Sequence, residues 1–291
     1  PGRGGGRSDT LRGRVVFGDT NLGLVSTVTF ESTTVDTHYG NFTVNLPHGT
    51  HDYLIRNLLG EYTGSVRHDG VGTKRLVVPT FEGWSRHYFD TLLVLEPLGA
   101  TTRWPRDTEI PVWIESPAED DNVTWEVVST VWDALDEWEN VLAGTIRFKE
   151  TGDRSLADAN GLTISFISRE EMDEHDDATP NTIGLCELWY YAGRGQIGKG
   201  NIYIVYDFQD SIALLLHEIG HCIGLRHSDD PREVMYPVLR DKDRRLTARE
   251  KNIARLLYSL PQRTPAFSTS FVMTEPPAVD EYGRVKNVIS T

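Results

Sequence analysis

The sequence predicts an α+β protein in two parts: an amino-terminal antiparallel β-sandwich, then a twisted sheet carrying a long helix, a buried helix and a closing helix. Three observations predict it. Short β-branched and aromatic runs separated by turn residues fill the first third. Apolar residues then recur at helical spacing across residues 122–142. An apolar run at 212–216 leads into His217 and Glu218, followed by His221, Gly224 and His227. At 291 residues the chain is long enough for two cores.

Residues 1–10 are rich in glycine and read as a flexible tail. Strands are expected at 14–17, 25–30, 41–46, 53–55, 75–78 and 92–95. Turns at Gly18 and Asp19, at Tyr39 and Gly40, and at Pro47 to Gly49 separate them, which makes residues 11–96 the sandwich. Its histidines, His38, His48, His51, His68 and His87, lack ligand spacing and read as surface or turn residues. Residues 97–105, bounded by Pro97 and Pro105, read as a linker.

The second domain, residues 106–260, opens with a strand at 109–114. In the helix that follows, Val123, Val127, Val131, Leu135 and Trp138 form one stripe, while Glu126, Asp133, Glu137 and Glu139 keep other faces wet. That helix packs on a sheet. Strands at 146–148, 162–167 and 201–206 precede the helix of His217, which Asp210 or Ser211 can cap. Thr247 and Glu250 make a capping box for a closing helix through Tyr258. Residues 261–291 are rich in Pro, Ser and Thr, with ordered-looking pieces at 272–274 and 284–288. They read as a tail, or as an edge strand docked on the first domain.

His217 and His221 stand four apart and share a helix face, so their imidazoles can aim at one point. Gly224 can turn the chain there and bring His227 back to that point. Three neutral imidazoles with an open position describe a catalytic zinc site, since structural zinc is usually closed by four ligands and richer in cysteine. One catalytic zinc ion is expected. Glu218 lies about 100° further round the helix, placed to exchange protons with water beside the metal and not to bind it. Amide hydrolysis follows, with Glu218 as general base.

This extended pattern, with Met235 eight residues after His227, resembles the metzincin metallopeptidases. Ser228 and the run Val234, Met235, Tyr236, Pro237 are most similar to matrixins, and the likeness covers roughly residues 102–260. The resemblance implies a catalytic domain over 106–260, a Met-turn in which Met235 floors the histidines, and no tyrosine ligand, because Pro237 stands where astacins carry one. It also implies an extended substrate pairing near 198–203, with Gly200 and Tyr203 among its contacts, and a specificity pocket walled from Pro237 onward. Arg240, Lys242, Arg244 and Arg245 crowd that wall, either as a solvated basic loop or as a preference for acidic side chains.

Departures from matrixins are visible. Arg249 and Glu250 replace the paired aspartates that anchor a mature amino terminus, and only His175 remains of the histidines of a structural zinc site, so no second zinc is expected. Glu170, Glu171, Asp173, Glu174, Asp176 and Asp177 could hold calcium, or form an acidic solvent-facing loop. In the first domain Leu11 to Gly13, Tyr39 to Phe42 and Leu46 to Gly49 resemble a transthyretin-like (carboxypeptidase regulatory-like) domain.

Charge narrows the partners. Residues 1–100 hold 10 acidic and 9 basic side chains, and residues 101–180 hold 20 and 6. The acidic half argues against nucleic acid and anionic membrane and suggests solubility or cation binding; a protein or peptide substrate is what the peptidase reading implies. No run reaches the roughly 18 apolar residues of a transmembrane helix. Cys186 and Cys222 are either bridged or two buried thiols. Asn41 and Asn122 fit the glycosylation pattern, and a secreted or cell-surface enzyme is expected. The rival is an adhesion or scaffolding protein that keeps the zinc helix as structure; an intact Glu218 argues against it.

Overall fold

The computed structural model describes residues 8–268 and 279–291. Most of the expected amino-terminal tail, and the piece at 272–274, lie outside them. The first third forms seven strands: β1 (Ser8–Phe17), β2 (Thr27–Phe30), β3 (Thr33–Asp36), β4 (Asn41–Pro47), β5 (Gly49–Asn57), β6 (Gly60–His68) and β7 (Thr73–Val78). They make two sheets, β4-β1-β7 and β3-β2-β5-β6. Phe30 of one meets Phe42 of the other at 5.8 Å between ring centroids. Strict alternation in β4 explains its side-on burial: Phe42, Val44 and Leu46 are inside, and the residues between them face water. Pairing is antiparallel throughout except between β1 and β7, which run parallel. Two histidines expected at the surface are buried: His51 meets the Pro47 carbonyl at 2.8 Å and His68 that of Asp9 at 3.3 Å.

The expected strand at 92–95 is a correction. Helix α1 (Arg86–Leu93) occupies most of it, capped by Ser85, whose side chain accepts from the Tyr88 amide. Tyr88, Phe89, Leu92 and Leu93 recur at three and four residues, so the apolar run is a helix face. Only β8 (Val94–Leu95) is extended, and it pairs with β9 (Ala100–Thr101). The segment read as a linker is therefore partly a hairpin, and Arg103 and Trp104 are buried beyond it.

The sheet of the second domain holds β10 (Thr108–Ile114), β11 (Ile146–Glu150), β12 (Leu162–Ile167), β13 (Gly184–Tyr191), β14 (Gln196–Val205) and β15 (Val285–Ser290), in the order β11-β10-β12-β14-β13-β15. Around it lie α2 (Trp125–Val141), α3 (Arg154–Asn160), α4 (Arg169–Asp173), α5 (Ile212–Cys222) and α6 (Ala248–Ser259). Thr124 caps α2, which starts after Val123, and its buried stripe is Val127, Val131, Ala134, Leu135 and Trp138. β13 escaped the sequence reading because it is buried on both faces and lacks alternation. The carboxy-terminal segment docks in two places: Phe267 packs on Phe89, but β15 pairs with β13 of the second domain's sheet, not with the first domain.

Candidate active site

Every residue of α5 is buried, so its polar groups need partners inside the protein. Ser211 caps the start, accepting from the Leu214 amide. At the far end, carbonyls without helical partners are met by aromatic donors: Trp104 Nε1 donates to Cys222 O at 2.8 Å and Tyr258 Oη to Ile223 O at 3.1 Å. Trp138 Nε1 donates to Leu216 O at 2.9 Å, tying α2 to the turn that carries His217. Gly224 then takes φ +110°, and a Cβ there would stand 2.1 Å from Thr102 O. Glycine alone allows the reversal that returns His227.

The three imidazoles converge. One ligand atom from each of His217, His221 and His227 lies within 4.8 Å of the others. His217 Nδ1 is 2.7 Å from Val234 O, and His221 Nδ1 is 2.9 Å from Leu225 O. A carbonyl only accepts, so both Nδ1 atoms carry the proton and both Nε2 atoms present lone pairs. Those two Nε2 atoms are 2.8 Å apart. Lone pairs facing each other at that distance repel unless a cation lies against both. Nε2 of His227 is buried with no partner. Burial pushes His217 down to about 3, helped by His227, and His227 down to about 4, helped by the Arg226 charge; His221 falls well below the usual range for the same first reason. Protons are thus disfavoured, and the donor set fits zinc.

Glu218 is fully buried, and neither carboxylate oxygen has a hydrogen-bond partner. Burial pushes it up to about 8; the Thr291 hydroxyl is near enough to oppose that rise, without a formed hydrogen bond. Met235 is buried with its sulfur against Gly220 of α5, where a Cβ would be 2.5 Å from it. Its amide donates to Glu250 Oε1 at 2.8 Å, and the Thr247 amide to Glu250 Oε2 at 2.9 Å. Glu250, read from sequence as a departure and a cap, therefore also holds the Met235 backbone. Glu233, missed entirely, is buried and accepts from Ser228 Oγ, from Tyr88 Oη at 3.1 and 3.0 Å, and from Arg249 at 3.4 Å. Arg249 also donates to Gly83 O at 2.9 Å, so it pins the segment before α1 to α6. The sequence signal was Ser228, placed directly after His227.

Other expected site residues fall elsewhere. Gly200 and Tyr203 lie on β14, an interior strand: Gly200 pairs with Leu162 on one side and Leu188 on the other, and Tyr203 with Ser165 and Leu185. They cannot offer an edge to a peptide, because their backbone groups are already used. The strand beside the helix is β13. Pro237, two residues after Met235, is exposed. Of the basic residues after it, Lys242 pairs with Asp210, Arg245 with Glu137, and Arg244 donates to Pro231 O. Cys186 of β13 and Cys222 of α5 are bridged, with Cα atoms 6.3 Å apart. A cleft of about 390 Å³ opens in front of His227, between Arg226 and the α1 residues His87, Asp90 and Thr91.

Among the described residues, one other cluster could hold a metal: His175, Asp177 and Glu187. Lys286 Nζ stands 2.5 Å from Glu187 Oε1 and 3.2 Å from Asp177 Oδ2. An ammonium already answers that charge. The remaining acidic residues expected to hold calcium do not gather there; Glu171 caps α4 with Ser168.

The chain belongs to the matrixin family: the family model matches residues 103–259, a span that includes all three converging histidines. Among relatives, metalloendoproteinase 1 of Glycine max is 28% identical over 172 residues, 54% of this chain and 53% of that protein. Metalloendoproteinase 1-MMP of Arabidopsis thaliana is 28% identical over 171 residues, 53% and 43%. Macrophage metalloelastase of Rattus norvegicus is 38% identical over 117 residues, 37% and 24%. The chain thus spans about half the length, or less, of the relatives it matches. Family membership implies zinc as the metal.

Proposed function

We propose that this protein is a zinc-dependent endopeptidase that hydrolyses peptide bonds in protein or peptide substrates, with His217, His221 and His227 as ligands and Glu218 as general base. One observation carries the reading: two deprotonated Nε2 atoms 2.8 Å apart, beside a buried carboxyl with no partner. Zinc held there supplies a Lewis acid that acidifies water and polarises a carbonyl. With a cation held by the three imidazoles to offset the burial that raises it and keep it ionised, Glu218 takes a proton from the attacking water at a carboxylate oxygen. It then delivers that proton to the amide nitrogen as the C–N bond breaks, so a carboxylate and an amine leave. The Nδ1 bonds to Val234 and Leu225 hold the imidazoles in the tautomer that leaves Nε2 free, and buried Met235 packs against Gly220 of the same helix.

The Cys186–Cys222 bridge supports an oxidising compartment and so a secreted or cell-surface setting. Asn41 and Asn122 are exposed, as glycosylation would require. Among the described residues no helix is long and apolar enough to cross a membrane. The experiment is cleavage of a proteome-derived peptide library by wild type, by chelated protein and by Glu218→Gln, with metal content measured in each. Cleavage by wild type alone, with one zinc per chain, is expected. Equal cleavage in all three overturns the mechanism.

A further inference from the structure

A peptide cut at this site must lie extended with its carbonyl beside Glu218, and extended peptides commonly bind by adding a strand to a sheet edge. Among the described strands, β13 is the one whose edge reaches Glu218. A Cβ on Gly184, its first residue, would stand 2.5 Å from Glu218 Oε1. The opposite edge, β11, is four strands further away, about 19 Å at the usual strand spacing. The chain itself fills the β13 edge. β15 pairs antiparallel along it, from Val285 opposite Tyr190 to Ser290 opposite Leu185. Thr291 continues the ladder into the site: its amide donates to Gly184 O at 3.0 Å, and its carbonyl accepts from Ile183 at 2.8 Å.

We propose that residues 284–291 are an intramolecular strap that occupies the substrate-binding edge, so that wild-type turnover is held about tenfold below that of a chain whose β15 has left β13. The proposal rests on the peptidase reading and names its regulation. Incoming peptide and strap compete for the same backbone groups of β13, because a strand has one free edge and β14 holds the other. The strap is fastened by side chains as well. Val285 and Ile289 are buried, Lys286 bridges Glu187 and Asp177, and Arg284 donates to Ala159 O at 2.8 Å. Release therefore requires breaking ion pairs and a short ladder, without disturbing α5. The disulfide keeps β13 beside α5 while β15 departs, since Cys186 belongs to β13 and Cys222 to α5.

The test keeps the full chain. Asn287→Pro removes a ladder amide opposite Leu188, and Lys286→Glu sets a negative charge against Glu187 and Asp177. Each is combined with Glu218→Gln so that no peptide is consumed, and the probe is a fluorescent peptide with the sequence of residues 284–291. Both double variants should bind it about tenfold or more tighter than Glu218→Gln alone, because an occupied edge lowers apparent affinity by the fraction that is free. Hydrogen exchange at the Cys186 and Leu188 amides should be faster in both variants before the probe is added. Equal affinity in all three proteins overturns the strap. With Glu218 restored, kcat/KM on library peptides should rise about tenfold through a lower KM. Variants that bind the probe and one zinc yet cut nothing would sink the peptidase reading and leave the strap standing. A wild type that cuts as fast as both variants would do the reverse.

Discussion

Two clusters in this molecule satisfy the same spacing rule and differ in what surrounds them. His217, His221 and His227 are largely buried, and the first two aim unshared pairs at each other. His175, Asp177 and Glu187 gather as closely, but one of the three is exposed and Lys286 already sits against both carboxylates. The difference teaches that proximity of ligand atoms does not make a metal centre. Uncompensated donors do: the first cluster is costly without a cation, and the second contains one.

The comparison breaks most sharply at His221. His221→Ala removes one of three donors and should lower zinc affinity more than about a hundredfold, beyond what loss of a supporting hydrogen bond costs. His175→Ala should leave zinc content at one per chain, and metal analysis after dialysis checks both. Glu218→Gln keeps the donors and should retain zinc while turnover falls about a hundredfold to ten-thousandfold, the usual worth of a general base. Single-turnover cleavage separates that loss from weaker binding.

Glu250 sharpens the contrast between burial and charge beside the Met235 amide. Burial pushes it up to about 7, against the amides of Met235 and Thr247, which pull down. The folded chain then holds a proton between the ordinary glutamate value near 4.5 and about 7 that the unfolded chain has released. Stability should fall as pH rises across that window, by up to about 3 kcal/mol, and level off above it. Urea midpoints between pH 5 and 8 check this, and Glu250→Gln should flatten the slope. The smallest effect is expected at Trp138→Phe, which loses the bond to Leu216 O and should cost about 1 kcal/mol in the same denaturation.

Much of the metal site was legible because one local repeat encodes it. Four-residue spacing puts His217 and His221 on one face, and a glycine returns His227, so no distant contact had to be guessed. The rest of the site depends on pairing across the chain. Nothing local in residues 184–191 marks β13 as the outer partner of β14, since burial on both faces erases alternation. Without that strand, Gly200 and Tyr203 read as edge residues, although β14 is paired on both sides. The run through Leu92 and Leu93 reads as a strand from its apolar residues alone, and only the cap at Ser85 marks it as the end of a helix. The docking of β15 was hidden for a related reason: a short six-residue strand carries too little pattern to name its partner, and Lys286 shows its purpose only beside Asp177 and Glu187. Glu250 was visible as a cap, but its hold on Met235 spans 15 residues and leaves no periodic trace.

The most direct measurement is a zinc-edge anomalous difference map of crystals grown from the zinc-loaded protein. The account predicts one peak, within bonding distance of nitrogens from His217, His221 and His227. A peak beside His175 and Glu187 instead, or no peak in protein saturated with zinc, would contradict it.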